Sequence, residues 1–355
     1  MILPFLALIA LGIGCLGVIA LSIGREQSLE TSIEDKTSGV NVDGGQMCCA
    51  SCGIAEAEAD NVKLKKCADC ESVRYCSIRC QRKHRPEHRK GCKKRAAELR
   101  DEILFKQPES SYLGDCPICC LPLSIDPRNS PLQTCCSTVI CDGCEYANRL
   151  RQEKECLEVT CPFCRHPVPT SNEEAENNRM KRVAANDPVA LTQMGCIHSV
   201  VGDSNKALEY LSKAAGLGDA GGHHCLSNMY LDGEGVKKDM KKGAYHAEEA
   251  AIKGHPTARF NLGVIEWNNG TTERNIGMIE RAAKHVIISA NLGHGEAMKK
   301  VKTCYSKGLV SKEDFAKTLR AHQAVLDAAR SSQREAAAEA KKLGLSFSHM
   351  HSMPS

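Results

Sequence analysis

Aromatic side chains are scarce in this chain of 355 residues: one Trp, six Phe and seven Tyr. A single large core filled by aromatics is excluded, and small modules held together by other means are expected. Charge of one sign is also lacking. The formal net charge is +4, too small to imply a nucleic-acid partner by itself. No nucleophile elbow, phosphate loop or open zinc site is visible, so no conventional catalytic centre is expected and no covalent catalytic residue is named.

What the chain has is cysteine, 22 in all, most of it between Cys48 and Cys164. Disulfides and metal thiolates compete as explanations. Recurrent C-x-x-C pairs with interspersed His have the spacing of structural zinc sites, and zinc is the reading adopted. Charge is locally dense in residues 81–95, QRKHRPEHRKGCKKR. This run reads as a solvated helix face beside a metal site. As a nucleic-acid patch it would supply only non-specific attraction, and no aromatic stacking platform accompanies it.

Residues 2–24 carry no charge and are rich in Ile, Leu, Ala, Val and Gly. That length suits a helix spanning the hydrocarbon core. No basic region precedes the run, as a signal peptide would need. Secretion would also carry the cysteines into an oxidising lumen. A membrane anchor over residues 1–24, with Arg25 and the zinc modules on the cytosolic side, satisfies both points. Cleavage after Ser22 and a translation start at Met47 stay open; if the N-terminal segment is not part of the mature chain, the alternative location is cytoplasmic or nuclear. Residues 25–46 read as a flexible linker.

Within residues 47–95 the ligands in order are Cys49, Cys52, Cys67, Cys70, Cys76, Cys80, His88 and Cys92, with Cys48 an alternative to Cys49. Each C-x-x-C supplies two thiolates from one turn. Cys76 and Cys80, and one helix later His88 and Cys92, stand at i, i+4 and would share a helix face. Two closed tetrahedral sites follow, so the zinc is structural. This pattern, with Tyr75 before Cys76, resembles a MYND-type zinc finger. The resemblance implies Cys49, Cys52, Cys76 and Cys80 on one ion and Cys67, Cys70, His88 and Cys92 on the other. It also implies binding of proline-rich peptides, but the usual aromatic before the histidine is replaced by HRPE. His84 is expected to face solvent.

Within residues 112–170 come CPICCLPLSIDPRNSPLQTCCSTVICDGC and CPFCR. Cys116 pairs with Cys119, Cys141 with Cys144 and Cys161 with Cys164. Cys135 and Cys136 form the fourth pair, or one of these adjacent residues is a bystander. The pattern is similar to a RING finger, with cysteine in place of the usual histidine and Thr138 at that histidine's standard position. The resemblance implies a cross-brace: Cys116, Cys119, Cys141 and Cys144 on one zinc, and Cys135, Cys136, Cys161 and Cys164 on the other. It further implies a ubiquitin ligase that positions a charged ubiquitin-conjugating enzyme, with Ile118, Pro162, Phe163 and Arg165 as contacts. Cys120 and Cys156 are expected as small buried apolar residues. Four zinc ions are expected, two per module.

From Asp187 the composition turns to Ala, Leu, Gly and Lys. Leu208-x-x-x-x-Lys213-Ala214-Ala215-x-x-Gly218 recurs as Tyr245-x-x-x-Glu249-Ala250-Ala251-x-x-Gly254, with the glycines 36 apart. A looser third unit closes at Gly293. Such periods indicate stacked helix pairs. The segment LSNMYLDGEGVKKDMKKGAYHAEEAAIKGHP resembles the Sel-1-like repeat, which implies a protein-binding scaffold over residues 186–300, open to a client or peptide. Gly233 and Gly235 would turn between helices and Gly254 would end one. The histidines here lack C-x-x-C context and read as core or surface. One further helix is expected over 311–342, capped by Ser311 and Asp314, before a disordered tail at 343–355.

The expected fold is therefore mainly α: two small cross-brace zinc modules, an α-solenoid of Sel-1-like helix pairs, and an N-terminal transmembrane helix. The leading function is a zinc-binding protein-interaction adaptor with RING-type ligase activity. A non-enzymatic zinc-finger scaffold comes second, and a transcription or nucleic-acid regulator third.

Overall fold

A computed structural model of the chain describes residues 47–56 and 63–344. The expected transmembrane helix over 1–24, the linker at 25–46 and the tail from 345 onward lie outside the described residues. Among the described residues no helix is long and apolar enough to cross a membrane. The chain divides into two compact units, one up to Cys92 and one from Lys93 onward, each taken by itself below.

In the first unit β1 (Lys65–Lys66) pairs antiparallel with β2 (Arg74–Tyr75), Lys65 opposite Tyr75. Helix α1 (Ile78–Leu104) follows, and its residues through Cys92 belong to this unit. Spacing had suggested two successive helices. Instead α1 continues through Pro86 and carries Cys80, His88 and Cys92 together. Proline has no N–H, so the Arg82 carbonyl loses its intrahelical donor. Both residues are exposed, and solvent can meet that carbonyl. The buried cluster is Leu64 and Tyr75 among Cys49, Cys67, Cys70 and Cys92. Two conventional core side chains cannot hold a fold this small, which needs another cross-link.

The second unit opens with the other cysteine-rich module. There β3 (Leu132–Gln133) pairs antiparallel with β4 (Thr138–Val139), and α2 (Asp142–Lys154) follows directly. Its buried cluster is Leu123 and Ile140 among Cys116, Cys141 and Cys144. Helix α3 (Asn172–Ala184) then leads into an array of helices: α4 (Pro188–Val200), α5 (Ser204–Gly216), α6 (Ala220–Asp232), α7 (Met240–Ile252), α8 (Pro256–Thr272), α9 (Ile276–Asn291), α10 (Gly295–Ser306) and α11 (Lys312–Ala328). Consecutive helices pack as pairs, α4 on α5 through α10 on α11, and each pair stacks on the next.

Every pair starts with the same device. A residue in the left-handed region is followed by an N-cap: Asn186 (φ 55°) before Asp187, Gly218 (87°) before Asp219, Gly254 (82°) before His255, and Gly293 (90°) before His294. The array therefore has four helix pairs where the sequence suggested about three, and it continues beyond residue 300. Close approach within a pair rests on missing side chains. A Cβ on Gly195 would stand 2.5 Å from Leu211 Cγ, and one on Gly243 would stand 2.7 Å from Leu231 Cγ. Ala250 and Ala251 are fully buried in the same manner.

One charged residue lies in this interior. Arg259 of α8 is fully buried and donates to the carbonyls of Leu104, the last residue of α1, and Ala251, near the end of α7, the latter at 2.7 Å. Helix C-termini leave carbonyls without partners, and a guanidinium suits them.

The single helix expected over 311–342 is two. The chain breaks after α11, and α12 (Ser332–Lys342) starts afresh with Ser331 as N-cap, its hydroxyl accepting from the Arg334 amide at 3.3 Å. Helix α12 packs against α2 of the cysteine-rich module.

Candidate metal centres

Four C-x-x-C turns share one backbone geometry. The amide four residues after the first cysteine bonds back to that cysteine's carbonyl: Gly53 to Cys49 (2.9 Å), Glu71 to Cys67 (3.0 Å), Cys120 to Cys116 (2.8 Å) and Arg165 to Cys161 (2.9 Å). Each of these donors follows the second cysteine directly and is left-handed, with φ of 73°, 54°, 56° and 62°. The turn points both sulfurs to one side. It also explains Cys120, which is exposed at the knuckle's left-handed corner and not buried. Cys156 is likewise exposed, at φ 53° just beyond α2, again contrary to expectation.

The other ligand pairs come from different elements. Cys80, His88 and Cys92 lie on α1, with Cys76 two residues before its start. Cys141 is the N-cap of α2, its sulfur accepting from the Cys144 amide at 3.4 Å. Cys135 and Cys136 lie in the turn between β3 and β4, where Ser137 is left-handed (φ 54°). Thr138 points its hydroxyl at the Cys136 carbonyl, 3.4 Å away.

These elements bring together four groups: Cys49, Cys52, Cys76 and Cys80; Cys67, Cys70, His88 and Cys92; Cys116, Cys119, Cys141 and Cys144; and Cys135, Cys136, Cys161 and Cys164. In each group the donor atoms lie within 4.8 Å of one another. Both modules interleave, the first and third pairs meeting and the second and fourth. Both adjacent cysteines, 135 and 136, belong to their group. Cys48 belongs to none and instead forms a backbone bridge with Ala55.

The donor sets fit zinc. Sulfurs at about 2.3 Å from one tetrahedral ion stand about 3.8 Å apart. Observed separations are 3.5 Å for Cys52–Cys76, 3.6 Å for Cys76–Cys80, 3.7 Å for Cys67–Cys92 and 3.7 Å for Cys119–Cys141. In the fourth group they are 3.3 Å for Cys135–Cys164 and 4.0 Å for Cys136–Cys161. His88 Nε2 stands 3.2 Å from Cys70 Sγ. Soft donors in closed sets of four leave no position for a substrate, which marks the ions as structural.

Local fields act on the sulfurs unevenly: burial and neighbouring thiols push Cys92 and Cys144 up, while others are brought down. Burial works to raise the Cys49 thiol, but amides of Cys76, Ser51 and Cys52 outweigh it and bring it down to about 6. Cys161 is brought down to about 5, first by the Cys135 thiol that donates to it and then against the pull of burial. Burial, with His84 nearby, holds His88 below its ordinary value, so it is the neutral imidazole that a metal requires.

His84 does not face solvent as expected. Its Nδ1 meets the Tyr75 hydroxyl at 3.0 Å, and its ring stacks on His88 with centroids 5.5 Å apart. Burial and the surrounding thiolates push Tyr75 up to about 12, so its hydroxyl keeps its proton. This pair braces the ligand ring from behind. The i, i+4 relation of His84 and His88 was the available signal. The basic run around them lies along α1 and is mostly exposed.

The four residues expected to contact a conjugating enzyme stay uncovered to different degrees. Ile118 is 42% and Phe163 49% exposed; Arg165 is exposed and Pro162 half-buried. The histidines of the array form no metal-capable group among the described residues.

A model of the MYND finger matches residues 49–92, and a model of the Sel1 repeat matches residues 189–219 and 225–255. A comparison with curated proteins gives no match. Among solved structures, a Sel1 repeat protein from Oxalobacter formigenes is 19% identical, over 51% of this chain and 71% of its own, with a TM-score of 0.39. The protein c5321 of uropathogenic Escherichia coli, described as a protective antigen displaying an SLR fold, is 22% identical, over 60% of this chain and 42% of its own, with a TM-score of 0.36. The chain thus joins a MYND zinc finger to Sel1 repeats, the make-up of a zinc-binding protein-interaction adaptor.

Proposed function

We propose that this adaptor is a RING-type ubiquitin ligase. Its second module positions a ubiquitin-charged conjugating enzyme, and the helix pairs hold the client. The observation that carries the reading is the interleaved order of the eight sulfurs between Cys116 and Cys164, together with the exposure of Ile118 and Phe163. Arg165 stands directly after the last ligand, where a planar guanidinium can donate to enzyme and ubiquitin at once. No covalent chemistry falls to this chain; its part is orientation of a reactive thioester.

In this reading each module holds two ions, four in all. The closed ligand sets keep the contact loops in place, and zinc supplies folding free energy on the order of 10 kcal/mol per ion. Residues 1–24 would tether the assembly to a membrane with the modules in the cytosol, a proposal that rests on the sequence alone.

The test is autoubiquitination by the zinc-loaded chain with a panel of conjugating enzymes. Activity that falls at least tenfold in Ile118→Ala and Arg165→Ala supports the reading. Silence with every enzyme, at full zinc content, would refute it and leave a non-enzymatic scaffold.

A further inference from the structure

The four candidate centres differ in how much charge they bury. Four thiolates around one divalent ion carry a net charge of −2, and three thiolates with a neutral imidazole carry −1. Cys52 and Cys164 are exposed, so water screens the first and fourth groups. The second group is buried but contains His88. The third group combines four sulfurs with burial: Cys116, Cys141 and Cys144 are buried and Cys119 is partly so. It therefore confines the most uncompensated charge, which is costly in a low-dielectric setting. The start of α2 offsets about half a charge.

A full positive charge reaches the same place from far along the chain. Arg334 of α12 sets Nη2 3.5 Å from Cys119 Sγ and 3.2 Å from the Leu121 carbonyl. Its Nη1 donates to the carbonyls of Pro122 and Ala329, both at 2.7 Å. Space for this approach exists because residue 143 is glycine; a Cβ there would stand 2.7 Å from Arg334 N and 2.8 Å from Arg334 Cγ. Further along α12, Lys341 pairs with Asp142 at 2.8 Å and donates to the Arg128 carbonyl at 2.6 Å. Ala337 and Ala340 are buried.

We infer that α12 is an integral part of the second zinc module, and that Arg334 is the charge partner of the anionic sulfur shell formed by Cys116, Cys119, Cys141 and Cys144 around its ion. The inference rests on the reading that these four sulfurs hold zinc. Arg334 is a positioning residue: it ligates nothing, but it neutralises the sulfur shell and ties the first knuckle to the start of α2. Ile118 and Phe163 stay exposed with α12 in place, so α12 is a brace and not a lid over them.

The experiment follows release of zinc from the full chain to a chromogenic chelator, with total zinc measured beforehand. Arg334→Gln should release one ion on the order of ten- to a hundredfold faster, with the others unchanged. Arg334→Lys should restore most of the delay at low salt and lose it at high salt, which a purely steric brace would not do. Release of every ion at the wild-type rate from Arg334→Gln overturns the inference, as does an Arg334→Lys profile equal to that of Arg334→Gln at all salt concentrations. If Arg334→Gln fails to accumulate, Gly143→Ala displaces the guanidinium with every charge retained; unchanged release there also overturns it. Cys116→Ser separates the two claims: zinc content equal to wild type would remove the zinc reading itself.

Discussion

The fully buried Arg259 gives the most exacting test of how the helix pairs are held. Replacing it with Met keeps much of the volume and removes the charge. Each bond from a guanidinium to a carbonyl contributes about 1.5–3 kcal/mol, so the two bonds contribute about 3–6 kcal/mol. Against this stands the burial of the charge. Desolvation lowers the Arg259 ionisation from 12.5 to about 10, a cost of about 3 kcal/mol. The two terms leave about 0–3 kcal/mol in favour of arginine. A third effect decides the sign. After substitution Ala251 O still accepts the Gly254 amide at 3.0 Å, but the Leu104 carbonyl is left without the guanidinium inside the structure. An unsatisfied buried carbonyl costs about 1–3 kcal/mol. Arg259→Met should therefore destabilise the array by about 3 kcal/mol. The one tryptophan, Trp267, lies on the same helix, so its fluorescence during urea unfolding at saturating zinc reads the effect directly. A loss below about 1 kcal/mol, or a gain, would refute the claim that Arg259 caps two helix ends.

Two further outcomes follow from local geometry. His255 and His294 cap α8 and α10 by accepting amide protons on Nδ1, at 3.2 Å from Ala258 N and 3.1 Å from Ala297 N. Burial lowers both, His255 well below its ordinary value, so the folded array binds fewer protons than the unfolded chain. Their contribution is complete above about pH 6.5 and is lost as the pH falls below it, at up to about 1.4 kcal/mol per unit for each histidine. His255→Asn should flatten this acid slope in urea titrations from pH 7 to 5; an unchanged slope would show that the cap is not what titrates. In the metal centres, Cys135→Ser and Cys136→Ser should each lower bound zinc by one ion, whereas Cys48→Ser should lower it by none. Elemental analysis of the purified variants checks this, and retention of full zinc by either Cys135→Ser or Cys136→Ser would remove that residue from the fourth group.

Local devices were legible in the chain, and distant ones were not. A C-x-x-C turn is complete within eight residues, so Cys49 with Cys52 or Cys161 with Cys164 can be read directly. The glycine–cap step at Gly254 and His255 is equally local, and its recurrence marked the repeats. Gly293 closes a looser third unit, but the pair that begins beyond it, α10 with α11, has no glycine at its own end to repeat the signal, so that pair escaped notice. The continuity of α1 was hidden by Pro86, which usually argues for a break but is tolerated on an exposed face. Ser331 is a good cap inside a run of good helix formers, and only packing against α2 decides that the helix stops there. Arg334 meets Cys119 across 215 positions, and no periodicity in either segment announces such a contact.

The partnership of α12 with α2 has a consequence for biosynthesis. A ribosome delivers Cys164 roughly 170 residues before Ser332. At typical elongation rates the nascent domain waits on the order of ten to thirty seconds for its last strut. During that interval a thiolate shell already competent for metal would be open to chelators and chaperones alike. Truncations or fusions that disturb residues 332–342 should then act as maturation defects of a domain encoded far upstream.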